Sequence, residues 1–384
     1  MLKKLFPISD FLYILQLEEY ETKRYFKTIK RLFWRRNLQR RGKRDYTERV
    51  KKPLLLSLPL SLILFPLTPL WVGLSNIILT PYVEWVKSKI QRRAAEYFRA
   101  KNKVTRVIAI AGSYGKTTTK NYIYELVKYN YKTQMVPGNI NTPTGIATWI
   151  LKNFDQTSQL LIVEVDTYFI GEIAKSLTIT PPDIAILTNI DNQHLERFRE
   201  RSNLKKALLE IFKYSKPGAI KISDKNTNLD YALKVARLLN IPKDIIKDTI
   251  AKLTKPDRRG DIKIMNNFEV IDESYNISYT TAKSTLENAV RLAKAKRKKL
   301  IVITAGIPEL GEENKDANIQ LGLLLSQKAE KILLLKSILY KQVLNNSEKF
   351  ILAKNLREAW RILEDFNPQK YIILLEPELN DLYY

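Results

Sequence analysis

The balance of apolar and polar positions changes character along the chain, and the first change is abrupt. From Pro53 to Val83 no charged side chain interrupts "PLLLSLPLSLILFPLTPLWVGLSNIILTPYV". The run exceeds the roughly 20 apolar residues that cross a bilayer core. Trp71, Tyr82 and Trp85 are placed to sit at an interface. A buried core helix is the other reading. Prolines at 53, 59, 66, 69 and 81 disfavour a long soluble helix, whereas neighbouring groups tolerate them in a membrane. The expectation is a membrane-inserted segment over about 53–83.

From Val104 short β-branched runs alternate with helical stretches. "RVIAIAG", "LLIVEVD", "DIAILTNI" and "GAIKIS" read as strands, with "TTKNYIYELVKY" and "SNLKKALLEIFKY" as helices between them. This is the pattern of a parallel sheet with crossover helices. "NLDYALKVARLLNIPKDIIKDTIAKL" predicts a helical pair and "TKPDRRGD" a linker. A second α/β series follows: "FEVIDE", a helix from about Thr280, "KLIVITAG", a further helix, "KILLL", "KFILA", a helix near "NLREAWRILEDF", and "KYIILLE". Three parts are expected: a basic, membrane-associated helical region over 1–103, a central α/β domain over 104–255, and a C-terminal Rossmann-like α/β domain over 256–384.

Composition narrows the chemistry. The 384-residue chain has no cysteine, which excludes disulfides, thiolate metal sites and a cysteine nucleophile. Its one histidine, His194, would have to serve any catalytic triad, and a metal site must draw mainly on oxygen. The net charge of +25 calls for an anionic partner. Much of the basic charge lies within Met1–Lys52 and in "KSKIQRRAAEYFRAKNK", flanking the apolar run. Anionic lipid headgroups are therefore the expected partner, ahead of nucleic acid. Basic residues on both flanks leave the orientation of a single span open, and a re-entrant hairpin would put both on the cytoplasmic side of the cytoplasmic membrane. A cleavable signal peptide does not fit, because a long basic segment comes first.

The sharpest motif is "RVIAIAGSYGKTTTK", a strand, a glycine-bearing turn and a helix start. Gly112 and Gly115, with Ser113 and Tyr114 between them, let backbone amides approach a phosphate. Lys116 adds a positive charge, and Thr117, followed by Thr118, offers a hydroxyl to magnesium. The usual Walker pattern has a further glycine where Ile110 stands. An ordinary capped turn would not need a lysine followed by three threonines.

That loop is similar to the G-x-x-G-K-T-T loop of the Mur ligase family, ATP-dependent amide-forming enzymes of peptidoglycan synthesis, which lacks the same glycine. The likeness continues at "PGNINTPTGIA" (Pro137–Ala147), at "LLIVEVD", and at "PPDIAILTNIDNQHLERF" (Pro181–Phe198). It implies ATP and Mg2+ as cofactors, with Thr117, Glu164 and His194 as metal ligands and Lys116, Glu164 and His194 as the catalytic set. "VIDESYNISYTTAKSTLENA" (Val270–Ala289) and "AGIPELGEENKDANIQLG" (Ala305–Gly322) resemble the branch that adds D-alanyl-D-alanine. By that likeness Asp272 lies near the ribose, Asn228 near the adenine, and Arg258 or Arg259 near the phosphates.

Departures from the family pattern are equally specific. Leu208 stands where the family has a carbamylated lysine bridging two metals, and Lys205, one helical turn earlier, is the candidate replacement. "LLEPELNDLYY" replaces the family's K-G-S-R stretch, and the membrane segment stands in place of a sugar-nucleotide domain. The function implied is amide formation through an acyl phosphate, joining a D-alanyl-D-alanine-like dipeptide or amino-acid amine to a muramyl-peptide carboxylate. The alternatives are a membrane-anchored ATP-binding protein with weak or lost ligase activity, and a nucleic-acid-dependent ATPase.

Overall fold

The computed structural model describes residues 8–32, 48–63, 67–138, 140–191, 195–223, 227–254, 256–275, 277–345 and 347–379. The chain forms two compact units, 1–89 with 379–384, and 90–378, so both α/β series share one unit.

The first unit is helical: α1 (Ile8–Leu17), α2 (Thr22–Leu32), α3 (Glu48–Ile63) and α4 (Thr68–Lys101), the last running on into the second unit. Leu12, Leu15, Tyr25 and Val72 are buried in it. The Tyr25 hydroxyl donates to the Pro69 carbonyl at 3.0 Å, and Asn76 Nδ2 donates to the Tyr20 carbonyl at 2.7 Å. A Cβ on Gly73 would fall 2.2 Å from the Phe26 ring, so only glycine admits that ring against α4. The apolar run expected to enter a membrane is thus divided between α3 and α4, with 64–66 outside the described residues. Among the described residues no helix is long and apolar enough to cross a membrane. The physical reason is that the run is shared between two helices that each mix it with charge: α3 has 16 residues and opens on Glu48, Arg49, Lys51 and Lys52, and α4 carries on into Glu84, Lys87, Lys89, Arg92 and Arg93.

The second unit is built on two sheets. Five parallel strands, β1 (Arg106–Ala111), β2 (Thr133–Met135), β3 (Leu160–Glu164), β4 (Ile184–Leu187) and β5 (Ile220–Ile222), lie in the order β2-β3-β1-β4-β5. Around them run α5 (Lys116–Val127), α6 (Pro143–Asn153), α7 (Glu172–Ile179), α8 (Leu195–Phe198), α9 (Arg201–Lys213), α10 (Asn228–Leu238) and α11 (Lys243–Lys252). Alternate strand residues feed two cores. Val107 and Ala109 pack with Leu177, Leu208 and Ile211, and Ile108 and Ile110 pack with Ile123, Leu126 and Val235. Near-continuous apolar strands covered on both faces are what a parallel sheet requires.

The other sheet comprises β6 (Asp261–Met265), β7 (Phe268–Asp272), β8 (Lys299–Thr304), β9 (Lys331–Leu335), β10 (Phe350–Ala353) and β11 (Tyr371–Leu375), ordered β10-β9-β8-β11-β7-β6. Its helices are α12 (Tyr279–Ala295), α13 (Asn314–Lys328), α14 (Tyr340–Val343) and α15 (Leu356–Ile362). All pairings are parallel except β6 with β7, a hairpin turned by Asn266 and Asn267 at φ 47° and 67°. The stretch after the expected linker is therefore partly a strand, with paired asparagines accepting the left-handed turn.

Candidate active site

The central sheet reverses its winding at β1, with β3 on one side and β4 on the other. Parallel sheets bind ligands beyond the strand ends at such a point, and the glycine loop leaves β1 there. Gly112 has φ 142° and Gly115 φ 80°. A Cβ on Gly112 would sit 2.1 Å from Thr188 Oγ1, and one on Gly115 2.3 Å from Asn228 Oδ1, so both conformation and space demand glycine. The loop is fastened to the end of β4: Ser113 N donates to the Asn189 carbonyl at 2.7 Å, and Thr188 Oγ1 donates to the Tyr114 carbonyl at 2.6 Å. No side chain caps α5, whose first amides stay available to an anion.

Lys116 is buried. Its Nζ donates to the Gly112 carbonyl at 2.5 Å and pairs with Asp166 Oδ1 at 3.2 Å. Thr117 Oγ1 donates to Glu164 Oε2 at 2.8 Å. Asp166 is steadied from "PGNINTPTGIA", where its amide donates to the Asn141 carbonyl at 3.0 Å. Lys120, fully buried, puts its ammonium 3.1 Å from Glu164 Oε2. Neither Asp166 nor Lys120 was singled out from the sequence. The period of two along a strand puts Asp166 on the face of Glu164, and the helical period puts Lys120 below Lys116.

Lys116, Thr117, Asn141, Glu164 and Asp166 border a cavity of about 730 Å³ reaching across to the second sheet, a volume in the range of small-ligand sites. Ser113, Tyr114, Gly115, Lys116, Thr117, Thr118, Glu164, Asn228, Arg258 and Arg259 all line it. Burial, aided by the Asp191 charge, pushes the Tyr114 phenol above its usual range. Ile250, Leu253, Tyr275 and Ile277 give the cavity an apolar wall, and the Arg259 guanidinium lies 3.9 Å from the Tyr275 ring centroid. The two halves meet around it. Ser278, which caps α12, donates to Asp191 Oδ2 at 2.6 Å, Glu196 N donates to the Glu309 carbonyl at 2.9 Å, and Arg201 pairs with Glu313 at 2.9 Å.

Other expected residues fall elsewhere. His194 lies outside the described residues. Asp272 is buried and does not line the cavity, although its neighbour Glu273 does. Burial pushes the Asp272 carboxyl up, but the Ser274 hydrogen bonds and Lys263, at 3.1 Å, outweigh it and hold it below the usual range. Asp257, Asp261 and Asp272 converge, but Lys263 sits among all three. Leu208 is part of the apolar core, and Lys205 is exposed and absent from the cavity wall. Lys205 thus does not take the bridging lysine's place: the buried face of α9 carries Leu204, Ala207, Leu208 and Ile211 instead. Glu210 points to α7, accepting from Gly171 N at 2.7 Å and Ala174 N at 3.1 Å.

A glycine loop at the switch point of a parallel sheet, with a buried lysine and a hydroxyl-carboxylate pair behind it, defines the class of P-loop α/β proteins. Within that class residues 110–278 match the model of the Mur ligase middle domain. Among its relatives is the UDP-N-acetylmuramoyl-tripeptide--D-alanyl-D-alanine ligase of Borreliella burgdorferi, 38% identical over 93 residues, covering 24% of this chain and 20% of that protein. The ligase of the same name from Rickettsia prowazekii is 31% identical over 145 residues, 38% of this chain and 32% of that one. The chain thus spans only a fifth to a third of the length of these curated relatives. In fold it is similar to a MurF ligase from Thermotoga maritima in complex with ADP, with a TM-score of 0.68 at 22% identity over 76% of this chain and 80% of that one. A pseudomurein peptide ligase type C from Methanothermus fervidus aligns with a TM-score of 0.55 at 16% identity, covering 72% and 77%.

Proposed function

We propose that this chain is an ATP-dependent ligase that forms an amide bond in cell-wall precursor synthesis, adding a D-alanyl-D-alanine-like amine to a muramyl-peptide carboxylate. The observation that carries this reading is the cavity shared by the two sheets, with the phosphate loop on one side and strand-end residues of the second sheet on the other. Loop amides and the α5 N-terminus would hold the ATP phosphates, and the wall of Ile250, Leu253 and Tyr275 would receive the base. Lys116 would neutralise the phosphoryl group as it moves to the substrate carboxylate, and the amine would then displace phosphate from the acyl phosphate. Closure of the second sheet's half would exclude water from that intermediate. The oxygen donors Thr117 Oγ1 and Glu164 suit Mg2+, which when bound supplies charge neutralisation at the phosphates. The test is ADP release by the full chain with UDP-MurNAc-tripeptide and D-alanyl-D-alanine. Stimulated release that is lost in Lys116→Ala is expected. Release that no muramyl peptide and amine pair stimulates, despite nucleotide binding, would favour the ATP-binding reading that the apolar setting of Leu208 motivates.

A second reading concerns place. The first unit is proposed to lie in the surface of an anionic membrane rather than to span it, with the catalytic sheets on the cytoplasmic side. What supports it is one exposed stripe of α4, Leu70, Leu74, Ile77, Ile78, Tyr82 and Trp85, at helical spacing, with Lys52 against the Tyr82 ring and Lys89 against Trp85.

A further inference from the structure

Glu164 is already occupied. Its Oε2 accepts the Thr117 hydroxyl at 2.8 Å and lies 3.1 Å from the Lys120 ammonium. Lys120 is 0% exposed, and its other contacts are the carbonyls of Val136 at 3.2 Å and Gly138 at 3.1 Å. Three acceptors match the three N–H bonds of an ammonium, so this cation is fixed in place. Both contacts fall on Oε2, which leaves Oε1 as the carboxyl oxygen for a metal. Toward α9 no further oxygen is free: Leu208 lies in the apolar core, and the Glu210 carboxylate is spent on the amides of Gly171 and Ala174.

We infer that the Lys120 ammonium is the built-in counter-cation of Glu164 and stands in for a second divalent ion, so that nucleotide binds this chain with a single one. The inference rests on the nucleotide reading above. Charge supports it: Lys116 with Asp166 and Lys120 with Glu164 form two neutral pairs before any ligand arrives. A divalent ion placed against Glu164 Oε2 would have to displace a buried ammonium that has no other acid within ion-pair distance among the described residues.

The test is Mn2+ binding to the full chain with a non-hydrolysable ATP analogue, followed by electron paramagnetic resonance. The expected result is one bound Mn2+ per chain with the spectrum of an isolated ion. Two bound ions with an exchange-coupled spectrum would overturn the inference and leave nucleotide binding intact, whereas no binding of the analogue would overturn the nucleotide reading itself. Lys120→Met removes the cation and should raise the count to two, and Lys120→Arg should keep it at one. A folded Lys120→Met protein that still binds one ion would also overturn the role given to Lys120. The count on the native chain decides the matter if that variant does not fold.

Discussion

Two single residues carry sharp expectations. Gly115 combines a left-handed backbone with a Cβ position 2.3 Å from Asn228 Oδ1, so Gly115→Ala must distort the loop or move Asn228. Gly218 has a similar φ, 77°, with nothing within 4 Å, which makes it the matched control. Both substitutions should cost about 1–2 kcal/mol of stability for the backbone alone. Only Gly115→Ala should weaken binding of a fluorescent ATP analogue, by roughly tenfold or more, or about 1.4 kcal/mol. Equal affinities in the two variants would remove the loop from the site. Glu376, at the end of β11, is buried with neither carboxyl oxygen hydrogen-bonded among the described residues. Burial, with a smaller push from Glu273 and an opposing pull from Thr304, raises its pKa from 4.5 to about 7. The folded protein then holds this proton more tightly than the unfolded chain does. Its contribution to stability is full below pH 4.5, shrinks as pH rises, and is gone above about 7, by roughly 3 kcal/mol at most. Glu376→Gln should flatten that slope and melt higher than the native chain at pH 8. Parallel melting curves from pH 5 to 8 would show that the carboxyl titrates normally. Neither Glu376 nor Lys120 stood out in the sequence, because a lone acid or base gains meaning only from what surrounds it.

At the scale of elements, the parallel strands were legible because each is a short β-branched run bounded by turn residues. The β6 strand was not. Ile262 and Ile264 are exposed on it, and "DIKIM" is held by pairing with β7 rather than by a buried face. The work of Glu210 on α9 was not legible either: it caps α7, far away in sequence, whose own N-cap Gly171 has no side chain to do so. Glu210→Ala leaves two amides without their acceptor, and a loss of about 1–3 kcal/mol in thermal or denaturant unfolding is expected. Glu210→Gln keeps one carbonyl oxygen and should lose less. Were Glu210 instead a metal ligand, both variants would change Mn2+ affinity by similar factors with little effect on stability, and the unfolding measurements separate the two roles.

For the whole molecule the choice between spanning and surface binding turns on charge and area. An uninterrupted apolar run reads as a span when only length and hydropathy are weighed, yet Ser57, Ser75 and Asn76 on that run are buried against protein, and such groups are costly to place in lipid. What remains outward is a single face. Leu74, Ile77, Ile78 and Trp85 are 42%, 50%, 58% and 59% exposed, and the Lys52 ammonium lies 4.4 Å from the Tyr82 ring centroid with Lys89 beside Trp85. Such a face gains from apolar insertion at about 25 cal/mol per Å² and from about 1 kcal/mol per basic residue near an anionic surface. The second contribution is screened by salt and the first is not. The full chain should therefore co-sediment with vesicles containing phosphatidylglycerol, and bind neutral phosphatidylcholine vesicles at least tenfold more weakly. Raising the salt from 0.05 to 0.5 M, chosen to bring the Debye length down to about 4–5 Å, should weaken the anionic binding without abolishing it. Ile78→Glu places a charge in the middle of the stripe and should remove the salt-resistant part, because a carboxylate must be dehydrated to enter the interface. Binding that salt abolishes completely in the native chain would mean that charge alone holds it and the stripe never inserts. Protein released from vesicles by salt or carbonate washing is peripheral, and protein extracted only by detergent would restore the spanning segment.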